Sequence, residues 1–162
     1  MSLSKDTLNE MFSYKDGNLY WKYTHKNGVQ EGALAGSKRG KYKIVSLNKK
    51  NYLLHRIIYI MHYGHIPSRL QVDHIDINKE NNKIENLRLV TKQENAFNRN
   101  DQKGYYYVSS RGNYRSRIIV DNKTISLGSY LLEEDARAAY LEAKEKYHII
   151  KGDTIWMNNN NK

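Results

Sequence analysis

The chain of 162 residues contains no cysteine and a single proline. Without thiols there can be no disulfide, no thiol nucleophile and no cysteine-bound zinc, so any metal must be held by oxygen or imidazole. Long apolar runs are missing too. No stretch approaches the roughly 20 residues of a spanning helix, and no basic-then-apolar secretory signal opens the chain. The expectation is a soluble, cytoplasmic protein with no membrane partner. Acidic charge is also scarce: 17 Asp and Glu face 27 Lys and Arg, a formal charge of +10 with a pI near 9.6. That balance favours a polyanionic partner, nucleic acid first. The length suits one ordinary domain or two small modules.

What is present is patterned. Up to about residue 52 the chain reads as β structure. GNLYWKY alternates around Leu19 and Trp21, and KYKIVSL puts Tyr42, Ile44 and Ser46 on one face and Val45 and Leu47 on the other. LLHRIIYIMHYG then spaces Leu54, Ile57, Ile58 and Met61 as a helical stripe, ended by Gly64 and by Pro67. Residues 71–76 read as a strand, 78–85 as a polar loop and 87–90 as a second strand. Thr91 with Glu94 three residues on makes a capping box that starts a helix. After residue 101 come three β-like runs, GYYYVSS, NYRSRIIV and KTISLGSY, with Asp121-Asn122 as a hairpin turn. EEDARAAYLEAKEKYH follows as a helix with acids in its first turn and Lys144 and Lys146 near its end. The tail MNNNNK is of low complexity and reads as disordered, and residues 1–4 read as mobile.

The segment 71–100, QVDHIDINKENNKIENLRLVTKQENAFNRN, carries the chemistry. Hydrolysis of a phosphodiester needs a nucleophile made from water, relief of the charge growing on phosphorus, and help for the departing oxygen. An imidazole titrating near neutrality suits the first task; a hard cation on Asp and Asn oxygens suits the other two. Asp73 and His74, adjacent in a strand, point to opposite sides unless the strand bends at its end.

This segment resembles the ββα-metal core of the HNH endonucleases, above all the phage and intron-encoded homing type. The matching residues are Val72-Asp73-His74-Ile75-Asp76, Asn78, Asn81-Asn82, Asn86-Leu87-Arg88, Thr91 and Asn95, with His55-Arg56 upstream. The resemblance implies His74 as general base, Asn86 as the brace of the loop, and Asp73 and Asn95 as ligands of one divalent metal, magnesium or manganese. The third motif letter is Asn, so no second imidazole ligand is expected. Ile77 departs from the pattern, since relatives often carry glycine after the second Asp. Asn98 and Arg99, just after Asn95, can approach a phosphate or form a solvated face. His55 is either a satisfied core histidine or a support of the site. Zinc is not expected, because His55, His62, His65 and His74 fit no zinc-ligand spacing.

In NYRSRIIV, alternation places Tyr114, Ser116, Ile118 and Val120 on one face and Arg115, Arg117 and Ile119 on the other. The first face can pack on Ala136, Ala139, Tyr140 and Ala143 of the last helix, leaving the second free and basic. Residues 103–128 hold five basic residues (Lys103, Arg111, Arg115, Arg117, Lys123) and one acid (Asp121), leaving +4. A small sheet fits the major groove, where Arg pairs with guanine edges. GYYYVSSRGNYRSRI, ISLGSY and EEDARAAY resemble the Apetala-type DNA-binding domain over residues 104–147. That resemblance points to Tyr106, Arg115, Arg117, Thr124 and Ser126, with Arg111 in the nearby turn, as DNA contacts. Several plant-type Arg and Trp contacts are not matched, so the recognised sequence does not transfer. Tyr105 and Tyr107 can be core or stacking platforms.

The fold class expected is α+β: an N-terminal β region (1–54) supporting a ββα-metal core (55–101), a three-stranded antiparallel sheet packed on one helix (102–151), and a polar tail (152–162). The expected activity is a metal-dependent, homing-type endonuclease acting on double-stranded DNA, with no small-molecule cofactor, and a monomer or a dimer alike. Two other classes compete: a sequence-specific DNA-binding regulator with a decayed core, and an RNA-binding or structural protein.

Overall fold

The computed structural model describes residues 3–24, 28–99 and 101–152. The chain divides into two compact units, 1–92 with 152–162 and 93–151. The asparagine tail and residues 1 and 2 lie outside the described residues. Among the described residues, no helix is long and apolar enough to cross a membrane.

The first unit opens with a helix, α1 (Lys5–Met11), where β structure was expected. Seven residues are too few for a stable isolated helix or for a readable apolar stripe, so this element exists through tertiary contact. Its Leu8 is fully buried, and the Lys5 ammonium and Asn9 amide donate to the carbonyls of His62 and Met61. Ser4 caps it, its hydroxyl accepting from the Thr7 N–H at 3.2 Å. Leu3 packs on the same core. Leu3 and Ser4, expected to be mobile, are therefore tied down.

A hairpin follows, β1 (Phe12–Lys15) against β2 (Asn18–Trp21). Its turn residues Asp16 and Gly17 both have positive φ, as a type I′ turn requires. The Phe12 and Trp21 rings meet at 4.5 Å. Strands β3 (Ser37–Arg39), β4 (Tyr42–Leu47) and β5 (Lys50–Leu53) form an antiparallel sheet in that order. Val45 and Leu47 are buried while Ser46 is exposed, the alternation read from KYKIVSL. Helix α2 (Leu54–Tyr63) continues from β5, and its stripe of Leu54, Ile57, Ile58 and Met61 is buried throughout. Gly64 ends it with φ +91°. Strand β6 (Leu70–His74) then pairs antiparallel with β7 (Leu87–Thr91), placing Asp73 opposite Arg88 and His74 opposite Leu87. Helix α3 (Lys92–Phe97) begins one residue after Thr91, where the capping signal placed a helix start.

In the second unit β8 (Tyr105–Val108), β9 (Asn113–Val120) and β10 (Lys123–Tyr130) form an antiparallel sheet with β9 central. Asp121 and Asn122 both have positive φ in the β9–β10 turn. Helix α4 (Glu133–Tyr147) covers one face, with Ala136, Tyr140 and Ala143 buried and three acids in its first turn. Ser116 and Ile118 point inward, and Ile118, Tyr140 and Ala143 form a small core joined by Val120, Ile125, Leu127 and Tyr147. Gly104 lies flat on the Tyr140 ring. A Cβ there would stand 2.0 Å from a ring carbon, and φ is already +77°.

Candidate functional site

The register of β6 and β7 decides how the Asp-His pair is used. Opposed residues of an antiparallel pair point to the same side, so Arg88 meets Asp73 directly. Its Nε and Nη2 donate to Asp73 Oδ2 at 3.3 and 3.1 Å. Lys79, from the following loop, brings its ammonium to 3.5 Å from Oδ1. The Asp73 side chain is wholly buried, and a buried carboxylate persists only when balanced in this way.

His74 is buried next to it and turns to other neighbours. Its Nε2 lies 3.0 Å from Asn82 Oδ1, and its ring stands 4.8 Å from that of His55, nearly edge-on. Tyr42 lies 5.6 Å from His55 and 6.5 Å from His74. Burial lowers the His74 pKa against the bond to Asn82, which raises it; Lys79 adds to the lowering while Asp73 and Asp76 oppose it. His55 is held down to about 3, by burial first and then by His74, Arg56 and Lys79. His55 is thus a neutral imidazole packed against the ring of His74.

The loop between the strands is built from asparagine side chains that answer backbone. Asn86 donates to Asp76 Oδ1 and to the Asn81 carbonyl, both at 2.8 Å, and accepts from the Asp76 N–H at 3.1 Å. Its carbonyl accepts from the Ile75 N–H at 2.9 Å. Asp76 also accepts from Asn81 Nδ2 at 2.7 Å and from the Asn78 N–H at 2.9 Å. Burial pushes the Asp76 carboxyl up, but these bonds outweigh it and the pKa is lowered. Ile77, where a glycine was noted as usual, sits at φ +68°, a conformation costly for a β-branched residue. On the loop's other side the Tyr14 hydroxyl accepts from the Ile84 N–H at 3.0 Å. Gly17 leaves no room for a Cβ, which would stand 2.8 Å from the Lys83 nitrogen.

The structure therefore brings Asp73, His74, His55 and Asn86 together in the first unit. Asn95, half-buried on α3, and Asn98 and Arg99 after it belong to the second unit. Arg99 is paired with Asp101 at 2.7 Å. Among the described residues, no group of three or more His, Asp or Glu is placed to share an ion. Asn82 and Arg88 stand in the matched motif without a chemical role of their own, and Lys79, Tyr14 and Tyr42 carry none from sequence. Of these, only the Arg88–Asp73 pair could have been found, by aligning the two strands about their loop.

In the second unit the outer sheet face is assembled as alternation predicts. Tyr106 is opposite Arg115, and Ser126 opposite Arg117. Thr124 is opposite Ile119 on the same face. The Arg117 guanidinium stacks on the Tyr106 ring at 5.1 Å. Arg111 closes an exposed 3-10 turn at the end of β8. Tyr105 and Tyr107 pair with Ser116 and Tyr114 on the helix-covered face. The Tyr105 hydroxyl donates to Glu133, although Tyr107 remains 56% exposed.

Residues 52–97 match the family model for HNH endonucleases. Over 108 residues the chain is 39% identical to an uncharacterized HNH endonuclease of Acanthamoeba polyphaga mimivirus, covering 64% of this chain and 57% of that one. Over 47 residues it is 45% identical to a protein of Bacillus subtilis strain 168 named as an SPbeta prophage-derived HNH homing endonuclease, covering 29% and 27%. The chain thus spans about half of the first relative and about a quarter of the second. No solved structure matches it.

Proposed function

We propose that this chain is an endonuclease that hydrolyses phosphodiester bonds of double-stranded DNA, with His74 as general base. The observation that carries the reading is the construction of the β6–β7 loop. A buried histidine is fixed by a side-chain hydrogen bond beside a buried carboxylate, within the segment that matches the HNH family. A base must be unprotonated at working pH, and the burial of His74 lowers its pKa in that direction. His74 takes a proton from water, the water oxygen bonds to phosphorus, and the bond to the 3′ oxygen breaks. Asn86 and Asp76 keep the loop in one shape while this happens.

The donor chemistry fits a hard divalent cation. Asp73 is a buried carboxylate that already draws positive charge, its Oδ2 taken by Arg88 and its Oδ1 only by the long Lys79 contact at 3.5 Å. Asp73 would hold the ion in the first unit, magnesium or manganese rather than zinc, because its donor atoms are oxygen. When bound it supplies positive charge to the phosphorane and the leaving oxygen. The outer face of the second sheet supplies the duplex-binding surface, with Arg115 and Arg117 as its charge and Tyr106, Thr124 and Ser126 around them. Tyr106 already holds the Arg117 fork, and Arg111 adds charge at the sheet's end.

Conversion of supercoiled plasmid tests the reading, with wild type and His74→Ala each assayed in magnesium or manganese and again with EDTA. Wild type cuts only with the cation, and His74→Ala falls by about 10²- to 10⁴-fold while still binding duplex. Binding without cutting under any cation overturns the nuclease reading in favour of a DNA-binding regulator.

A further inference from the structure

The Asn82 side chain has no place in the mechanism above, yet it is 2% exposed and bonded to the proposed base. Its orientation can be read from its other end. Asn82 Nδ2 lies 3.1 Å from the Glu80 carbonyl oxygen, which can only accept. The NH2 group must therefore face Glu80, because a flipped amide would set two acceptor oxygens against each other. Asn82 Oδ1 is then the atom facing His74 Nε2 at 3.0 Å. An amide oxygen only accepts, so Nε2 must carry a hydrogen. In a neutral imidazole the lone pair then belongs to Nδ1.

Resting on the nuclease reading, we propose that Asn82 is a positioning residue that fixes His74 as the Nε2–H tautomer and so assigns Nδ1 as the nitrogen that takes the proton from water. Each proton is accounted for: one moves from the attacking water to Nδ1, and the Nε2 hydrogen stays on its bond to Asn82, which strengthens as the ring becomes cationic. Asn82 itself is anchored from three sides. Its own N–H bonds the Glu80 carbonyl at 3.1 Å. Its carbonyl carbon lies 2.9 Å from where a Gly17 Cβ would be, and the Tyr14 hydroxyl holds Ile84 two residues on. The β1–β2 turn thus backs the residue that orients the base.

The test is nitrogen NMR of the His74 ring in the full chain, which reads the tautomer whether or not the protein cuts DNA. Wild type shows the proton on Nε2. Asn82→Ala loses that preference and its cleavage rate falls about 10- to 100-fold, with duplex affinity unchanged. A melting curve and an α2 exchange pattern for Asn82→Ala close to wild type guard against a variant that fails to fold, and the wild-type ring alone already tests the tautomer. A wild-type ring protonated on Nδ1, or a tautomer indifferent to Asn82→Ala, overturns the proposal. If the tautomer is as stated and no cation supports cleavage, the nuclease reading fails while the assignment of Asn82 stands.

Discussion

The two units use polar residues in opposite ways. In the first, Asp73, His74, Asn82 and Asn86 are all buried, and each is held by named partners on strand, loop or hairpin. In the second, Arg117, Thr124, Ser126 and Tyr106 stand in solvent above a core of Ile118, Tyr140 and Ala143. Chemistry on a phosphate needs groups desolvated and fixed beforehand, which only a well-filled core can support. Reading a polyanion needs charges left in water until the partner arrives. The first unit is therefore expected to fail through geometry and the second through affinity.

The largest effects should separate these two failures. His74→Ala removes rate and spares binding. Arg115→Ala with Arg117→Ala should do the reverse, weakening duplex affinity about tenfold or more and lowering the slope of log affinity against log salt by about 2. Cleavage by this double variant at saturating DNA stays near wild type. Gel shifts across a salt series check it, and a slope that does not change removes the outer face from the binding surface.

Next in size is Gly104→Ala. Its Cβ would enter the Tyr140 ring and its φ suits glycine alone, so the small second core should melt well before the first. Hydrogen exchange by mass spectrometry would show fast exchange in β8 to α4 and unchanged protection in α2. Uniform loss of protection would mean that the two units are not separate in stability.

Acid should act on the first unit through His55. Its folded pKa, near 3, lies below the ordinary value of 6.5. Between those pH values the unfolded chain binds a proton that the folded one refuses, so stability is complete above about 6.5 and falls as pH drops toward 3. Melting curves from pH 7 to pH 4 should slope downward in wild type and less steeply in His55→Phe, where the lowered His74 still contributes. Smallest is Ile77→Gly. Relief of a strained φ, about 1–3 kcal/mol, is offset by the entropy of glycine, about 0.5–1 kcal/mol, so a rise in melting temperature of a few degrees or less is expected.

What could be read without coordinates follows from the range of the interactions. The α2 stripe, the Asp121-Asn122 turn and the Arg115–Arg117 alternation are set by residues within a few positions of one another, and all three are seen. Helix α1 was missed because its stability comes from Leu8 and from His62 and Met61, more than 50 positions away along the chain in the hydrogen bonds to Lys5 and Asn9. Asn82 stood inside the quoted motif without a role, because only folding brings its amide to His74. The loop reads from sequence as polar and motif-bearing, with Asn86 as its brace, and which backbone group each other amide meets is set only by folding.

The ion pair at Asp73 bears on how mutants of this protein are chosen. An alanine at that position is the obvious blank for metal loading, yet it would strand the guanidinium of Arg88 and the ammonium of Lys79 in a poorly hydrated corner with their shared counter-charge gone. Such a protein would be silent for want of a fold and would imitate one silent for want of magnesium. Asp73→Asn, which keeps one oxygen for the Arg88 fork and gives up only the long Lys79 contact, is the sounder blank.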